Sequence, residues 1–360
     1  MHKTLVDDWL ASKERVVLPD MQPLENYDGI HAPVENVKKL SAMPEIDAKL
    51  KEAATNLFQL KYFKEEVDQA ADLPVLGPYK ITSNETVYMG HFKDGLRHGK
   101  GIQIQMDNSM KNVIIFEGMW EKGKTRGYGR KIYRNGHIYE GNWLDSKSSG
   151  FGVYLHTDGY KYSGEWLLDK EHGRGYEVWP KVRVYDGMYE SGKKHGHGTC
   201  FFDNGFSYIG AFKDDLRHGK GTFKWPDGRC YEGQYMDDKQ RGFGRIKWSD
   251  GDCYEGHWKA DKMSGFGIYK WAKGGFYEGQ YMDDKRHGKG TLKWPDGRCY
   301  EGQYMDGKQH GFGKFTSPDG TVYNGLWKDG KESGYAEYSF PSSELWHGVW
   351  GAGQRLEWLN

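Results

Sequence analysis

The chain has 360 residues, with 51 Lys+Arg balanced by 51 Asp+Glu, 51 Gly, 15% aromatic residues and a mean hydropathy of −0.87. Charge neutrality argues against a dedicated nucleic-acid binder, whose phosphate contacts require surplus Lys and Arg. So many rings beside so few prolines (11) exclude both a low-complexity disordered chain and a collagen-like one.

Residues 1–77 differ in character from the rest, with 9 Lys+Arg against 14 Asp+Glu. The first 30 residues lack the apolar core of a secretory signal, and no run of 18 apolar residues offers a membrane-spanning helix. Pro19, Pro23 and Pro33 predict an extended arm. Ser41 and Pro44 then mark a helix start, and Ile46, Leu50, Ala53, Leu57, Leu60 and Val67 follow at helical spacing. The spacing predicts an amphipathic helix over about 44–71, ended by Leu73-Pro74. Its apolar face, Ile46, Leu50, Leu57 and Leu60, suits either a cap on the chain's own remaining structure or a docking site for a partner or a second copy.

From residue 78 the chain is a repeat. An aromatic-x-Gly-x-aromatic frame opens at Tyr88 and Phe116 and then returns every 23 residues, through YEGQY at 231, YEGHW at 254 and YEGQY at 277 and 300, to WHGVW at 346. The 28-residue gap between the first two frames implies a five-residue insertion within Asp107–Asn112. The parity inside one period is that of strands: Tyr231, Gly233 and Tyr235 share one face and Glu232 and Gln234 the other. Gly242, Gly244, Ile246 and Trp248 share a face in the same way, opposite Phe243, Arg245 and Lys247. Turns such as Trp225-Pro226-Asp227-Gly228 join the two strands, with Gly supplying the positive φ. Polar segments such as Met236–Arg241 link one hairpin to the next.

The fold class is therefore an all-β repeat: an elongated, twisted, single-layer antiparallel meander of about twelve 23-residue hairpins. Two strands per repeat give a rise of roughly 9.6 Å. Where Val182 replaces the turn glycine a different turn is expected, because a β-branched residue resists positive φ. Ala336 for Gly and Ser342-Ser343 for Asp-Gly mark the last full unit as a cap.

The candidate chemistry is thin. His98, His172, His195, His218, His287 and His310 share one phase, but equivalent positions stand roughly 9.6 Å apart. A metal needs ligands at about 2 Å, and Arg126, Ser149, Arg241 and Ser264 occupy the same phase, so neither a metal nor another cofactor is expected. The same spacing keeps Cys230 and Cys253 apart, and with Cys200 and Cys299 they are too dispersed for a disulfide framework, which suits reduced thiols in the cytoplasm. The G-x-G runs do not form a phosphate loop, and Asp250-Gly251-Asp252 lacks the rest of a calcium loop. Glu117, Glu140, Glu232, Glu255, Glu278 and Glu301 are expected to pair with Lys224, Lys247, Lys270 and Lys293 across strands. No catalytic set escapes the repeat phases, so the chain does not read as an enzyme.

The Y-x-G-x-W and H-G-x-G residues resemble the MORN repeat (membrane occupation and recognition nexus) over about three-quarters of the chain. The resemblance implies the single-layer meander. It also implies a non-enzymatic scaffold or spacer, as in radial-spoke-head proteins of motile cilia and cytoskeletal proteins of protists. On that reading the partners are other proteins of a cytoskeletal or axonemal complex, a second copy can pair at the strand edges, and the location is the cytoplasm, cytoskeleton and ciliary axoneme. A groove lined by Tyr231, Tyr235, Tyr254, Trp258, Tyr277, Tyr281, Tyr300 and Tyr304 is the candidate binding site, with packing between repeats as the alternative role of the same rings. The rival is a peripheral membrane tether that binds phosphoinositides. It lacks the cluster of basic residues such binding favours, Lys193-Lys194-His195 being the densest group.

Overall fold

The computed structural model describes residues 75–81, 86–106, 113–342 and 344–359. The arm and the helix expected over 44–71, with Ile46, Leu50, Leu57 and Leu60, lie outside the described residues, as does the insertion at 107–112. Among the described residues there are twenty-five strands and no helix. They group into two compact units. One holds the described residues up to Lys181 with Tyr189–Gly192, and the other holds Val182–Met188 and the chain from Lys193 onward. Within each unit the strands are antiparallel to their neighbours in the chain, as in Cys230–Met236 with Lys239–Lys247 and then Cys253–Lys259. The all-β meander read from the sequence is the observed fold class.

The parity argument places the core. In Cys230–Met236, Tyr231 and Tyr235 are buried while Glu232 and Gln234 are exposed. In Lys239–Lys247, Gly244 and Ile246 are buried while Phe243, Arg245 and Lys247 are exposed. Register aligns the glycines across strands, Gly233 with Gly244 and Gly244 with Gly256. These glycines let a ring lie flat on the sheet: a Cβ on Gly244 would stand 2.3 Å from Tyr231 Oη, and one on Gly233 2.4 Å from it. The ring of Tyr231 therefore takes the space that two side chains would fill, and its hydroxyl donates to the Gln234 carbonyl at 3.1 Å.

Two kinds of turn alternate. The first is the one the Asp-Gly signal predicts: Gly228 N donates to Trp225 O at 3.1 Å, and Gly228 sits at φ 92°. The second was not foreseen. Met236–Arg241 is no loose link, because Met236 already pairs with Lys239, leaving only Asp237 and Asp238 as a two-residue turn at φ 50° and 66°. Positive φ at both positions matches the right-handed twist of the strands, and Asp tolerates it better than most residues. The strand thus starts three residues before Gly242, and its register slips between Gly233 and Tyr235 where Gly242 turns to φ 68°.

Local departures have local causes. At the 107–112 insertion the flanking strands lengthen, Leu96–Met106 and Val113–Glu121 pairing out to Met106 with Val113. At the turn that lacks glycine, Lys181 rather than Val182 takes positive φ, at 56°. The expected Glu–Lys pairs are corrected by the register. Lys224 and Lys247 both stand opposite Cys230, whereas Glu232 faces Thr222 and Arg245. Ion pairs at one phase instead join the lysine opening a strand to the aspartate opening the next two-residue turn: Lys193–Asp214 at 3.8 Å, Lys262–Asp283 at 3.5 Å and Lys285–Asp306 at 3.8 Å. Their exposure makes each worth little, about 0–1 kcal/mol.

Candidate functional site

The aromatic-x-Gly-x-aromatic frame creates a zigzag of rings on one face. Tyr231 meets Tyr235 edge-on at 5.3 Å and Trp258 of the next frame at 5.3 Å. Tyr254 repeats this with Trp258 and Tyr281, Tyr277 with Tyr281 and Tyr304, and Tyr300 with Tyr304 and Trp327. The other unit holds an equivalent run from Tyr88 through Phe116, Tyr139 and Tyr162 to Tyr189. Each buried ring contributes about 1.5–3 kcal/mol, and each edge-to-face pair about 0.5–1.5 kcal/mol more.

All eight candidate groove rings are buried; Tyr231, Tyr254, Tyr277 and Tyr300 have no exposure at all. The structure brings them together as packing between frames, each ring in edge-to-face contact with rings of its own and a neighbouring frame. Burial pushes their phenols above the ordinary value, in Tyr277 to about 12 even with Arg286 opposing the shift. They stay protonated and donate to their own backbone, as Tyr254 does to His257 O and Tyr277 to Gln280 O, each at 3.0 Å. Indoles at the second ring position donate likewise, Trp258 Nε1 to Gly244 O at 3.1 Å.

A second device was missed by sequence reasoning. The second residue of the two-residue turn clamps the strand start 21 residues earlier. Asp238 N donates to Arg217 O at 3.0 Å while Asp238 Oδ1 accepts from Arg217 N at 3.0 Å. Asp261 does the same with Gln240, Asp284 with Met263, Asp215 with Lys194 and Asp169 with Ser148. The signal was present as an aspartate recurring at one phase, but without the turn's conformation nothing aimed its carboxylate.

Surfaces open to a partner lie elsewhere. On the face opposite the rings, Phe243, Phe266, Phe312 and Tyr335 occupy the middle of G-x-G or G-x-A and are 50–56% exposed. A trough of about 610 Å³ runs there between Phe266 and Phe312, with Lys289, Glu278, Glu301 and Lys314 in its lining. At the margin formed by the four-residue turns, a second cavity of about 590 Å³ opens beside Trp271 and Trp294. No group of three or more metal-ligating side chains occurs among the described residues, and the four cysteines are free thiols, Cys200 buried and the others half-buried.

A family model described as MORN repeat matches eleven stretches: 88–110, 116–138, 139–159, 162–181, 185–206, 208–228, 231–253, 254–276, 277–297, 300–322 and 323–344. The frame at 346 lies beyond the last of them, yet its Trp350 continues the zigzag onto Tyr323 at 5.2 Å. Comparison with curated proteins gives no match. Among solved structures, the SAS-4 (dCPAP) TCP domain of Drosophila melanogaster, in complex with a proline rich motif of Ana2 (dSTIL), aligns with 43% of this chain and 84% of that one at 11% identity and a TM-score of 0.29. A streptogramin B lyase aligns with 77% of this chain and 92% of that one, also at 11% identity, with a TM-score of 0.13. At such TM-scores neither likeness carries an argument.

Proposed function

Because this chain belongs to the MORN-repeat family, whose repeats build interaction scaffolds for proteins or membranes, we propose that it is a non-enzymatic scaffold binding other proteins in a large cytoskeletal assembly. The address we propose is the ciliary axoneme, with the radial spoke head foremost. The observation that carries the protein-binding reading is the exposed aromatic row Phe243, Phe266, Phe312 and Tyr335. Rings with half their surface in water, standing at one phase on a regular sheet, suit contacts with a partner. The buried zigzag supports this by holding that row on a fixed lattice, which is the geometric service a scaffold provides.

The test is localisation of a tagged full-length chain with detergent extraction of the cells. Retention in a salt-resistant axonemal or cortical cytoskeleton is the expected result, and release with the membrane fraction would overturn the reading.

One observation favours the membrane alternative. Lys224, Lys247, Lys270 and Lys293 are all exposed at one phase, a row of positive charge on the face opposite the rings. Beside it runs a row of the opposite sign, Glu232, Glu255, Glu278 and Glu301, all exposed, which offsets its attraction for anionic lipid. Co-sedimentation with vesicles containing phosphoinositide at physiological salt separates the two readings. The scaffold reading expects the chain to stay in the supernatant.

A further inference from the structure

Along the margin of the second unit that carries the four-residue turns, one indole stands at the same phase of successive repeats: Trp225, Trp248, Trp271 and Trp294, each half-buried. Successive turns on this margin are two strands apart, about 9.6 Å. One turn of polyproline II helix is three residues, about 9.3 Å. A ligand with a three-residue period therefore stays in step with the indoles over several repeats.

The indoles are not equivalent. Arg229 covers Trp225 at 5.1 Å and Arg298 covers Trp294 at 5.2 Å, each arginine held at 2.8 Å by the aspartate of its own turn. The turn after Trp248 has Asp252 in that arginine's place, and the turn after Trp271 has Gly275. Among the described residues no cation covers Trp271, which Tyr269 meets at 5.1 Å, and here the 590 Å³ cavity opens. Its charged lining is acidic in the turn before Trp271, with Asp250 and Asp252, and basic beyond it, with Lys273 in the Trp271 turn itself, Arg286, whose guanidinium donates to Gly307 O, and Lys293 just before Trp294. Asp252 is committed to Tyr269 Oη at 2.6 Å and Ala272 N at 2.9 Å. Asp250 Oδ1 accepts from Asp252 N at 3.0 Å, which leaves its second oxygen for a ligand.

We propose that this margin, centred on Trp271, binds a proline-rich segment of a partner protein in the polyproline II conformation, with a basic residue of that segment against Asp250 and an acidic one against Lys293. Proline rings pack on indole faces, and a chain already held in polyproline II loses little conformational freedom on docking. The inference names a partner chemistry for the scaffold and rests on that reading. Its support is the match of periods, an indole that no arginine covers and the ordered charge.

The test titrates the full-length chain with a synthetic peptide that has proline at every third residue, arginine at one end and glutamate at the other, following tryptophan fluorescence. Saturable binding is expected. Moving the prolines to every fourth residue, or Trp271→Ala, weakens it by about tenfold or more. Leu356→Ala, exposed on the last strand and outside this margin, leaves it unchanged. Circular dichroism establishes that Trp271→Ala is folded. Should it not fold, the charge pair decides: Asp250→Lys weakens the arginine peptide and strengthens one with glutamate in the arginine's place. Absence of binding, equal binding of the two spacings, or indifference to both substitutions would overturn the proposal. Cytoskeletal retention without peptide binding removes this proposal alone, and peptide binding by a membrane-extracted chain removes the cytoskeletal address alone.

Discussion

The stretches 218–244 and 287–313 differ at only three positions, Phe223 against Leu292, Asp238 against Gly307 and Arg241 against His310. Their rings pack alike: Tyr231 lies 5.3 Å from both Tyr235 and Trp258, and Tyr300 lies 5.2 Å from Tyr304 and 5.1 Å from Trp327. Their turns do not match. Gly307 N donates to Arg286 O at 2.9 Å and Arg286 Nη2 donates to Gly307 O at 2.9 Å, which reproduces the backbone part of the clamp at Asp238. At Asp238 the carboxylate adds two further bonds, from Arg217 N at 3.0 Å and Arg217 Nε at 2.9 Å. The comparison separates what every repeat needs from what some repeats add. The main-chain clamp needs no side chain at the turn, whereas the carboxylate is an extra tie that Gly exchanges for an easier left-handed conformation.

Removing a central ring should not distinguish the copies. Tyr231→Ala and Tyr300→Ala are each expected to cost about 3–5 kcal/mol, since each empties a fully buried ring site. Urea unfolding of the two variants should agree, and a difference beyond about 1 kcal/mol would show that the copies' cores are not equivalent. The arginines should distinguish them. Arg217→Ala loses the Nε bond to the carboxylate as well as the contact over Tyr235, and is expected to cost about 2 kcal/mol, against about 1 kcal/mol for Arg286→Ala. Equal costs would reduce the Asp238 bonds to surface decoration.

A third test extends the comparison to the glutamate phase. Glu232 and Glu301 are exposed, but burial pushes the equivalent Glu117 up to about 8, with Arg130 opposing and Glu140 reinforcing the shift. The folded protein then holds a proton that the unfolded chain releases above its ordinary value near 4.5. Bound protons are therefore more numerous in the folded state across that interval, so stability is present below it and falls as pH rises to about 8. The slope is at most about 1.4 kcal/mol per pH unit and smaller for a partly exposed group. Glu117→Gln should flatten the profile, measured by denaturant unfolding at pH 5 and pH 8.

The smallest effect comes from exchanging the turns themselves. Asp238→Gly is expected to destabilise by about 0.5 kcal/mol, because the lost bonds to a partly exposed carboxylate are offset by relief of positive φ at residue 238. Gly307→Asp should gain little, and both differences should shrink in high salt. A large change in either direction, read as a shift of the urea midpoint, would assign the clamp to the side chain rather than the main chain.

Much of the fold was legible because one ring and two glycines recur at period 23 with strand parity, a pattern a packed sheet face can satisfy and a helix cannot. The Trp-Pro-Asp-Gly turns were legible for the same local reason. Met236–Arg241 was not: Asp-Asp carries no strong turn signal, and its primed conformation follows from pairing of Met236 with Lys239 and from the clamp to Arg217. The Glu232–Lys224 pairing failed because parity assigns a face but not a register, and the register sets Lys224 against Cys230 and Glu232 against Thr222. The eight rings chosen as a groove were correctly placed on one face, but a sequence does not show whether an aromatic row looks outward or is spent on its neighbours.

By itself, then, the sequence determined the repeat, its period, the strand parity and the family resemblance, since each is a property of residues close together in the chain. Tertiary structure alone decided that Tyr231 and its equivalents are internal packing and that Phe243 and its equivalents face water. Those outcomes depend on which strands meet in which register, and a contact between residues 21 or more apart in the chain is settled by the packed sheet, not by either residue's own neighbours.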